Sequence, residues 1–212
     1  MYSVIVLCAG KGTRTGLSYN KMLYKFEDGL TVYEKTLEHF IHDECCKQII
    51  VVTQPYERAQ FQTLSHHSLI EFVDGGKERQ DSVYEGLKKV KSEYVLIHDG
   101  ARPYVKNQHI QLLLECLKDH QACLLMVPCK DTIKVVDQGK VVQTLKRETL
   151  MQAQTPQAFH SQLILKAYQK GIESHFQATD DAQMVEMFSD EDVYVVVGDY
   201  ENKKITTKDD LS

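Results

Sequence analysis

Residues 3–9, SVIVLCA, form an unbroken apolar run that gives way at once to Gly10 and the segment KGTR. A run this short, with no polar face, reads as a strand covered on both sides, as in a parallel sheet between layers of helix. The pattern recurs. QIIVVT (48–53), LIEFV (69–73), YVLIHDG (94–100), ACLLMVP (122–128) and VYVVVG (193–198) read as further strands, the last also buried. Helical periodicity falls between them, at 31–42, 56–67, 78–90, around Ile110 to Leu117, at 161–171 and at 180–188. The alternation predicts a three-layer, Rossmann-like α/β fold with a mostly parallel sheet, whose ligands lie beyond the carboxyl ends of the strands.

One stretch breaks the pattern. TIKVVDQGKVVQTLKRE (132–148) alternates as two strands around Gly139, a hairpin signal. It is too small for a domain, so the expectation is one domain over 1–212 with a protruding antiparallel β-arm at about 131–154. Its apolar face needs cover, which a second copy of the chain would supply, making a homodimer. Gln154-Thr155-Pro156-Gln157 reads as a rigid turn before the helix at 161–171.

With 212 residues, 42% of them hydrophobic, the chain can bury roughly 70% of its extended surface without disulfides or a structural metal. None of its 6 cysteines forms a CxxC pair and no histidine follows at zinc-finger spacing, so reduced thiols are expected. No apolar run approaches the roughly 18 residues of a membrane span, and no basic segment precedes the first one as in a secretion signal. These features read as a mature cytoplasmic protein. The net charge of −5 argues against broad contact with nucleic acid or membrane, yet leaves room for a local basic pocket that takes phosphates.

The segment LCAGKGTRTG (7–16), followed by Asn20 and Lys21, is the most informative. Glycines in such a loop let backbone N–H groups approach phosphate oxygens. A P-loop would need GxxxxGK followed by Ser or Thr, which is absent. Gly10, Gly12 and Gly16 are spaced more loosely than GxGxxG, and the next strand ends VVTQP rather than in the acid that binds a ribose. What remains is a glycine loop with the cations Lys11 and Arg14, and Lys21 shortly after, residue types suited to a triphosphate. Lys11 fits either a phosphate or solvent.

This loop resembles that of the sugar nucleotidyltransferases. FVDGGKERQDSVYEGL (72–87), VLIHDGARPYV (95–105), DTIK (131–134), TLKRETLMQAQTPQAF (144–159), ATDDAQMVE (178–186) and ENKKITTKDDL (201–211) follow in order. Together they resemble the 2-C-methyl-D-erythritol 4-phosphate cytidylyltransferases over nearly the whole chain. The resemblance implies a nucleotidyltransferase fold and transfer of a cytidylyl group from CTP, with Mg²⁺ or another divalent cation. The ribitol 5-phosphate cytidylyltransferases are the near alternative, to be separated at the polyol pocket. A non-catalytic nucleotide sensor on the same scaffold would be expected to lack Arg14, Lys21 or Asp99, and all three are present.

Chemistry and resemblance together assign roles. The attacking group is a phosphate oxygen, already deprotonated at pH 7, so the enzyme must offset anion repulsion and transition-state charge. Arg14 and Lys21 are expected at the triphosphate, with Ala9, Gly10 and Gly12 as backbone contacts. The resemblance places Gly75, Gly76 and Ser82 at the cytosine, Ser82 being also suited to capping a helix. It places Asp99 at the junction of the two substrates and at the metal, followed by Gly100 and by Arg102, which would brace the loop. Arg79 would pair with Asp81 or Glu85, and His98 reads as a satisfied strand-end residue. Arg147, with Thr132, would reach from the arm into a partner's site and bind the 4-phosphate.

Thr179 reads as the N-cap of the helix at 180–188 and, by resemblance, as a phosphate-side contact. Lys204 would meet the substrate phosphate, although Lys203, where relatives are usually apolar, leaves open which ammonium points inward. Asp199 is a weaker metal candidate. Further departures are Thr15 for a common Met, Asn20 for a common Pro and Gly100 for a common Ala. The last helix, beginning near Thr207, is expected to run on beyond Ser212 in relatives.

Overall fold

The computed structural model describes residues 1–10 and 15–211. Lys11, Gly12 and Arg14 therefore lie outside the described residues. The chain runs β1 (Tyr2–Leu7), α1 (Val32–Ile41), β2 (Cys46–Thr53), α2 (Arg58–Leu64), β3 (Ile70–Asp74), α3 (Arg79–Leu87), β4 (Tyr94–Asp99), α4 (Asn107–Cys116) and β5 (Ala122–Pro128). There follow β6 (Lys134–Asp137), β7 (Lys140–Thr144), β8 (Met151–His160), α5 (Ser161–Glu173), α6 (Ala182–Phe188) and β9 (Val193–Val197).

Among the described residues the main sheet has the order β3-β2-β1-β4-β8-β5-β9, with β8 antiparallel to both neighbours and the other pairings parallel. Alternation along β1 sorts its side chains between two cores. Tyr2, Val4 and Val6 pack with Tyr33, Leu37 and Phe40 of α1 and Ile110 and Leu113 of α4. Ile5 faces Val83 and Leu87 of α3, Ile164 and Tyr168 of α5, and Met184 of α6. The result is the expected three-layer α/β fold. Helix α1 begins with a capping box: the Thr31 hydroxyl accepts from Glu34 N, and Glu34 accepts in return from Thr31 N.

Several sequence expectations need correction. Gln154-Thr155-Pro156-Gln157 is not a turn but part of β8, in the middle of the sheet. Proline is normally barred there because it cannot donate to a ladder. Pairing with β4 covers only Gln157 to His160, and the register to β5 shifts between Leu124 and Met126, so Pro156 sits where no ladder donor is required. The arm is correspondingly shorter than 131–154, since Met151 to Gln154 already belong to the main sheet.

Strand β9 is not buried. It is the sheet's edge, with Tyr194, Val195 and Val197 exposed. Thr179 is not the N-cap of α6. Asp181 holds that position, while the Thr179 hydroxyl donates to Gln183. The turn near Thr207 is a short 3-10 helix, Lys208–Leu211, with Asp210 accepting from the backbone of Thr206 and Thr207.

The hairpin expectation holds. Strands β6 and β7 pair only with each other, and Val136, Val141 and Val142 are 58–64% exposed. All six cysteines are free thiols. No helix among the described residues is long and apolar enough to cross a membrane.

Candidate active site

The order β2-β1-β4 places the reversal of winding at β1 and β4, where an open α/β sheet forms a crevice beyond its strand ends. The ladder continues one residue past each strand, through Cys8 N to Val52 O at 2.8 Å, Gly75 N to Thr53 O at 2.8 Å and Gly100 N to Leu7 O at 3.1 Å. These bonds hold the loops tightly at their roots. Above them lies a cavity of about 380 Å³ whose wall includes Ala9, Gly10, Lys21, Ser82, Asp99 and Lys204.

Asp99 is the buried carboxylate of this wall. Lys204 Nζ is 2.7 Å from its Oδ2, Arg79 Nε 3.5 Å from its Oδ1 and Arg102 Nε 3.9 Å from its Oδ2. Burial alone would raise the Asp99 pKa, but the charges of Arg79, Lys204 and Arg102 outweigh it and hold the carboxyl well below the usual carboxylate range. Lys204 faces the cavity, and Lys203 Nζ lies over the Tyr104 ring, outside the cavity wall. Arg102 braces the loop as expected, its Nη1 donating to Asn202 O at 2.7 Å.

His98 is the satisfied strand-end residue that the sequence suggests. Its Nδ1 meets the Thr155 hydroxyl at 3.1 Å and its Nε2 meets Arg102 O at 3.1 Å, while Asp99 N donates to the same hydroxyl at 3.0 Å. Burial pushes its pKa down to about 3 against the opposing pull of Asp99, so the ring is neutral and both nitrogens are engaged. Arg79 does not pair with Asp81 or Glu85. Its Nη1 and Nη2 donate to the buried Asp181 at 2.9 and 2.7 Å, a fork-to-carboxylate contact spanning 102 positions of sequence.

The glycine turn is shaped by close packing. A Cβ on Gly75 would come within 2.8 Å of Ala9 Cβ, and one on Gly76 would collide with Asp81. Ser82 braces the turn rather than capping α3. Its hydroxyl accepts from Gly76 N at 3.1 Å and donates to Glu78 O at 3.1 Å, and Asp81 accepts from Glu78 N. Gly100 serves packing rather than freedom, since an added Cβ would lie 2.9 Å from both Leu7 O and Cys8 Sγ. Asn20 uses the group that a proline would lack, its amide donating to Cys8 O and Glu57 while its oxygen caps Met22 N. Thr15 is buried.

Lys21 Nζ reaches Ile205 O at 2.5 Å and so ties the first loop to the one carrying Lys204. Arg147 and Thr132 stand on the exposed arm and do not contribute to the cavity wall of their own chain. Neither does Thr179, which lies just before α6. Asp199 is turned away and paired to Lys106 at 2.7 Å. Residues not anticipated from the sequence are Gln54, whose amide donates to Ala9 O at 2.9 Å, and Thr206. The signal for Gln54 was its place directly after β2, at a strand's carboxyl end.

The family model of IspD, 2-C-methyl-D-erythritol 4-phosphate cytidylyltransferase, matches residues 2–212. The chain belongs to this family. The enzyme of that name from Bacillus pumilus is 41% identical over 99% of this chain and 93% of its own, and that of Bacillus mycoides is 43% identical over 100% and 95%. Among solved structures, the 4-diphosphocytidyl-2C-methyl-D-erythritol synthase of Anaerococcus prevotii superposes with a TM-score of 0.88 at 35% identity. It covers 99% of this chain and 92% of that one. The IspD of Francisella tularensis gives 0.86 at 32%, over 100% and 97%. Family and relatives favour the methylerythritol reading over the ribitol one. In this IspD-family chain, Asp99 is the cavity-lining carboxylate that faces Arg79, Arg102 and Lys204.

Among the described residues no group of three or more His, Cys, Asp or Glu side chains gathers to hold a metal. Asp99 is the buried carboxylate among the described residues of the cavity wall and already faces three cationic side chains, so a divalent ion there would rest mainly on substrate phosphates, a coordination that Mg²⁺ accepts.

Proposed function

We propose that the protein transfers the cytidylyl group of CTP to 2-C-methyl-D-erythritol 4-phosphate, giving 4-CDP-2-C-methyl-D-erythritol and pyrophosphate. The observation that carries this reading is the convergence of Lys204, Arg79 and Arg102 on buried Asp99 at the sheet's switch point, in a chain of the IspD family. A phosphate oxygen of the polyol attacks the α-phosphorus, the bond to the β-phosphate oxygen breaks, and pyrophosphate leaves. The nucleophile carries no proton at pH 7, so no side chain has to remove one. His98, neutral and bonded at both nitrogens, is unsuited to that task and none is needed.

The chain's own contribution is positioning and charge. Ala9 and Gly10 offer backbone to the nucleotide, while Gly75, Gly76 and Ser82 form the flat turn that meets cytosine. Lys21, with Arg14 and Gly12 of the same loop, holds the triphosphate. Lys204 and Thr179 meet the polyol phosphate side, and Asp99 stands between the substrates, supported by Gly100 and Arg102. A divalent cation held by Asp99 and the phosphates would supply further charge neutralisation. The exposed valines of β6 and β7 are covered in a homodimer, in which Arg147 and Thr132 reach the partner's site.

The test is base selectivity. With the polyol phosphate fixed, pyrophosphate release with CTP should exceed that with ATP or GTP by about 100-fold, since a turn built to bond one base leaves its polar groups unpaired against another. Equal rates would contradict the placement of cytosine at Gly75, Gly76 and Ser82.

A further inference from the structure

The first turn of α3 lies between the turn assigned to the base and a distant stretch, residues 176–181. Gln80, 8% exposed, clasps that stretch from both sides. Its Nε2 donates to Phe176 O at 2.9 Å, and its Oε1 accepts from Ala178 N at 3.0 Å. The neighbouring Arg79 makes its paired bonds to Asp181, which is fully buried and also accepts from the Tyr168 hydroxyl at 2.5 Å. Two tethers from adjacent residues thus bracket Thr179. Gln157 of β8 closes the far side, donating to Asp180 at 3.0 Å and accepting from Ala182 N at 2.8 Å.

Thr179 is itself exposed and bonded only locally, to Gln183. Its place relative to Asp99 is therefore set by what holds the backbone around it. The Gln80 side chain satisfies both a carbonyl and an amide of that backbone, groups that would otherwise need other partners. Arg79 lines the cavity and can touch a ligand directly, whereas Gln80 is not part of the cavity wall. Both of its side-chain bonds go to residues 176–178, so removing them acts on that stretch.

We propose that Gln80 is a positioning residue for the polyol phosphate: it fixes the Thr179 segment against the nucleotide-side turn and so sets affinity for the second substrate without touching either one. The proposal rests on the reading of Thr179 as a polyol-side residue. Beside the Arg79–Asp181 pair, it couples the two halves of the site, so that the cytosine turn and the polyol segment keep a fixed spacing.

The experiment is Gln80→Met, which keeps length and packing but removes both hydrogen bonds, with Gln80→Glu as a second variant that keeps the acceptor for Ala178 N. Steady-state kinetics should show KM for the polyol phosphate raised about tenfold in Gln80→Met and less in Gln80→Glu, with KM for CTP unchanged. Equal rises in both KM values, a fall in kcat alone, or a wild-type KM for the polyol phosphate would overturn the proposal. Hydrogen exchange on the same protein gives a readout independent of turnover. The amides of 176–181 should exchange faster in Gln80→Met while the rest of α3 keeps its protection, and unchanged exchange at Ala178 would overturn the clasp. A wild-type protein that released no pyrophosphate from CTP and the polyol phosphate would instead count against the proposed reaction, leaving the exchange result to judge the clasp.

Discussion

Lys204 Nζ lies 2.7 Å from Asp99 Oδ2, joining the end of β4 to the loop that follows β9. The two residues are over a hundred positions apart, and their contact completes the cationic ring around the buried carboxylate. Lys204→Gln should keep the fold, because Arg79 and Arg102 still face Asp99, yet lower kcat by about 100-fold through loss of a cation at the reacting phosphates. Full activity in folded Lys204→Gln protein would contradict the role given to this lysine.

His98 predicts an acid-sensitive stability. The folded ring stays neutral down to about pH 3, whereas an ordinary histidine protonates near 6.5. Between those values the unfolded chain binds the extra proton. The contribution of His98 is therefore complete above about pH 6.5 and is lost as pH falls toward 3, at up to about 1.4 kcal/mol per pH unit. Asp99 acts in the same direction only below about pH 4, near the ordinary aspartate value. Urea unfolding of the metal-free protein should lose stability between pH 6.5 and 4.5, and His98→Gln should flatten that slope. Identical slopes in the two proteins would refute the assignment.

Gly100→Ala tests whether this glycine is required for packing. A Cβ there would press on Leu7 O, Cys8 Sγ and Met22 Cε at 2.7–2.9 Å, and the Leu7 oxygen is backbone of β1, inside the sheet. A loss of about 1–3 kcal/mol in unfolding free energy is expected, as for other overpacked sites. A neutral or stabilising change would show that the strand end yields more easily than its contacts imply.

The arm predicts complementation between subunits. Arg147→Ala and Arg14→Ala homodimers should each turn over slowly. A mixed dimer rebuilds one site, with Arg14 from one chain and Arg147 from the other, and should recover activity. Verified mixed dimers that stay inactive would exclude sharing through the arm. Val141→Asp, at a 63% exposed position, should by light scattering shift the protein toward monomer.

The parts of this fold that were legible in the sequence are those fixed by local pattern. The apolar runs of β1, β2, β4 and β5 and the Gly139 hairpin stand where their residues indicate, because burial on both faces and a tight turn each leave a short-range signature. Strand β8 was hidden by Pro156, whose cost in a ladder vanishes only once the neighbouring registers are known. The valine-rich β9 reads as interior because composition does not say which strand ends a sheet. The places of Asp99, at the end of β4, and of Lys204, in the loop after β9, on the cavity wall agree with the resemblance that singles them out. The partner of Arg79 was not, since nothing within a turn of helix announces a carboxylate 102 positions away. Gln80 carries no local signal for the same reason, as its partners are backbone groups of a distant segment.

The central claim is the reaction itself, and the most direct measurement is product formation. Purified protein with CTP, Mg²⁺ and 2-C-methyl-D-erythritol 4-phosphate should release pyrophosphate in step with a cytidine diphosphate-linked polyol identified by mass, and ribitol 5-phosphate in the same assay should react far more slowly. No product with methylerythritol phosphate, or a clear preference for ribitol phosphate, would contradict the account.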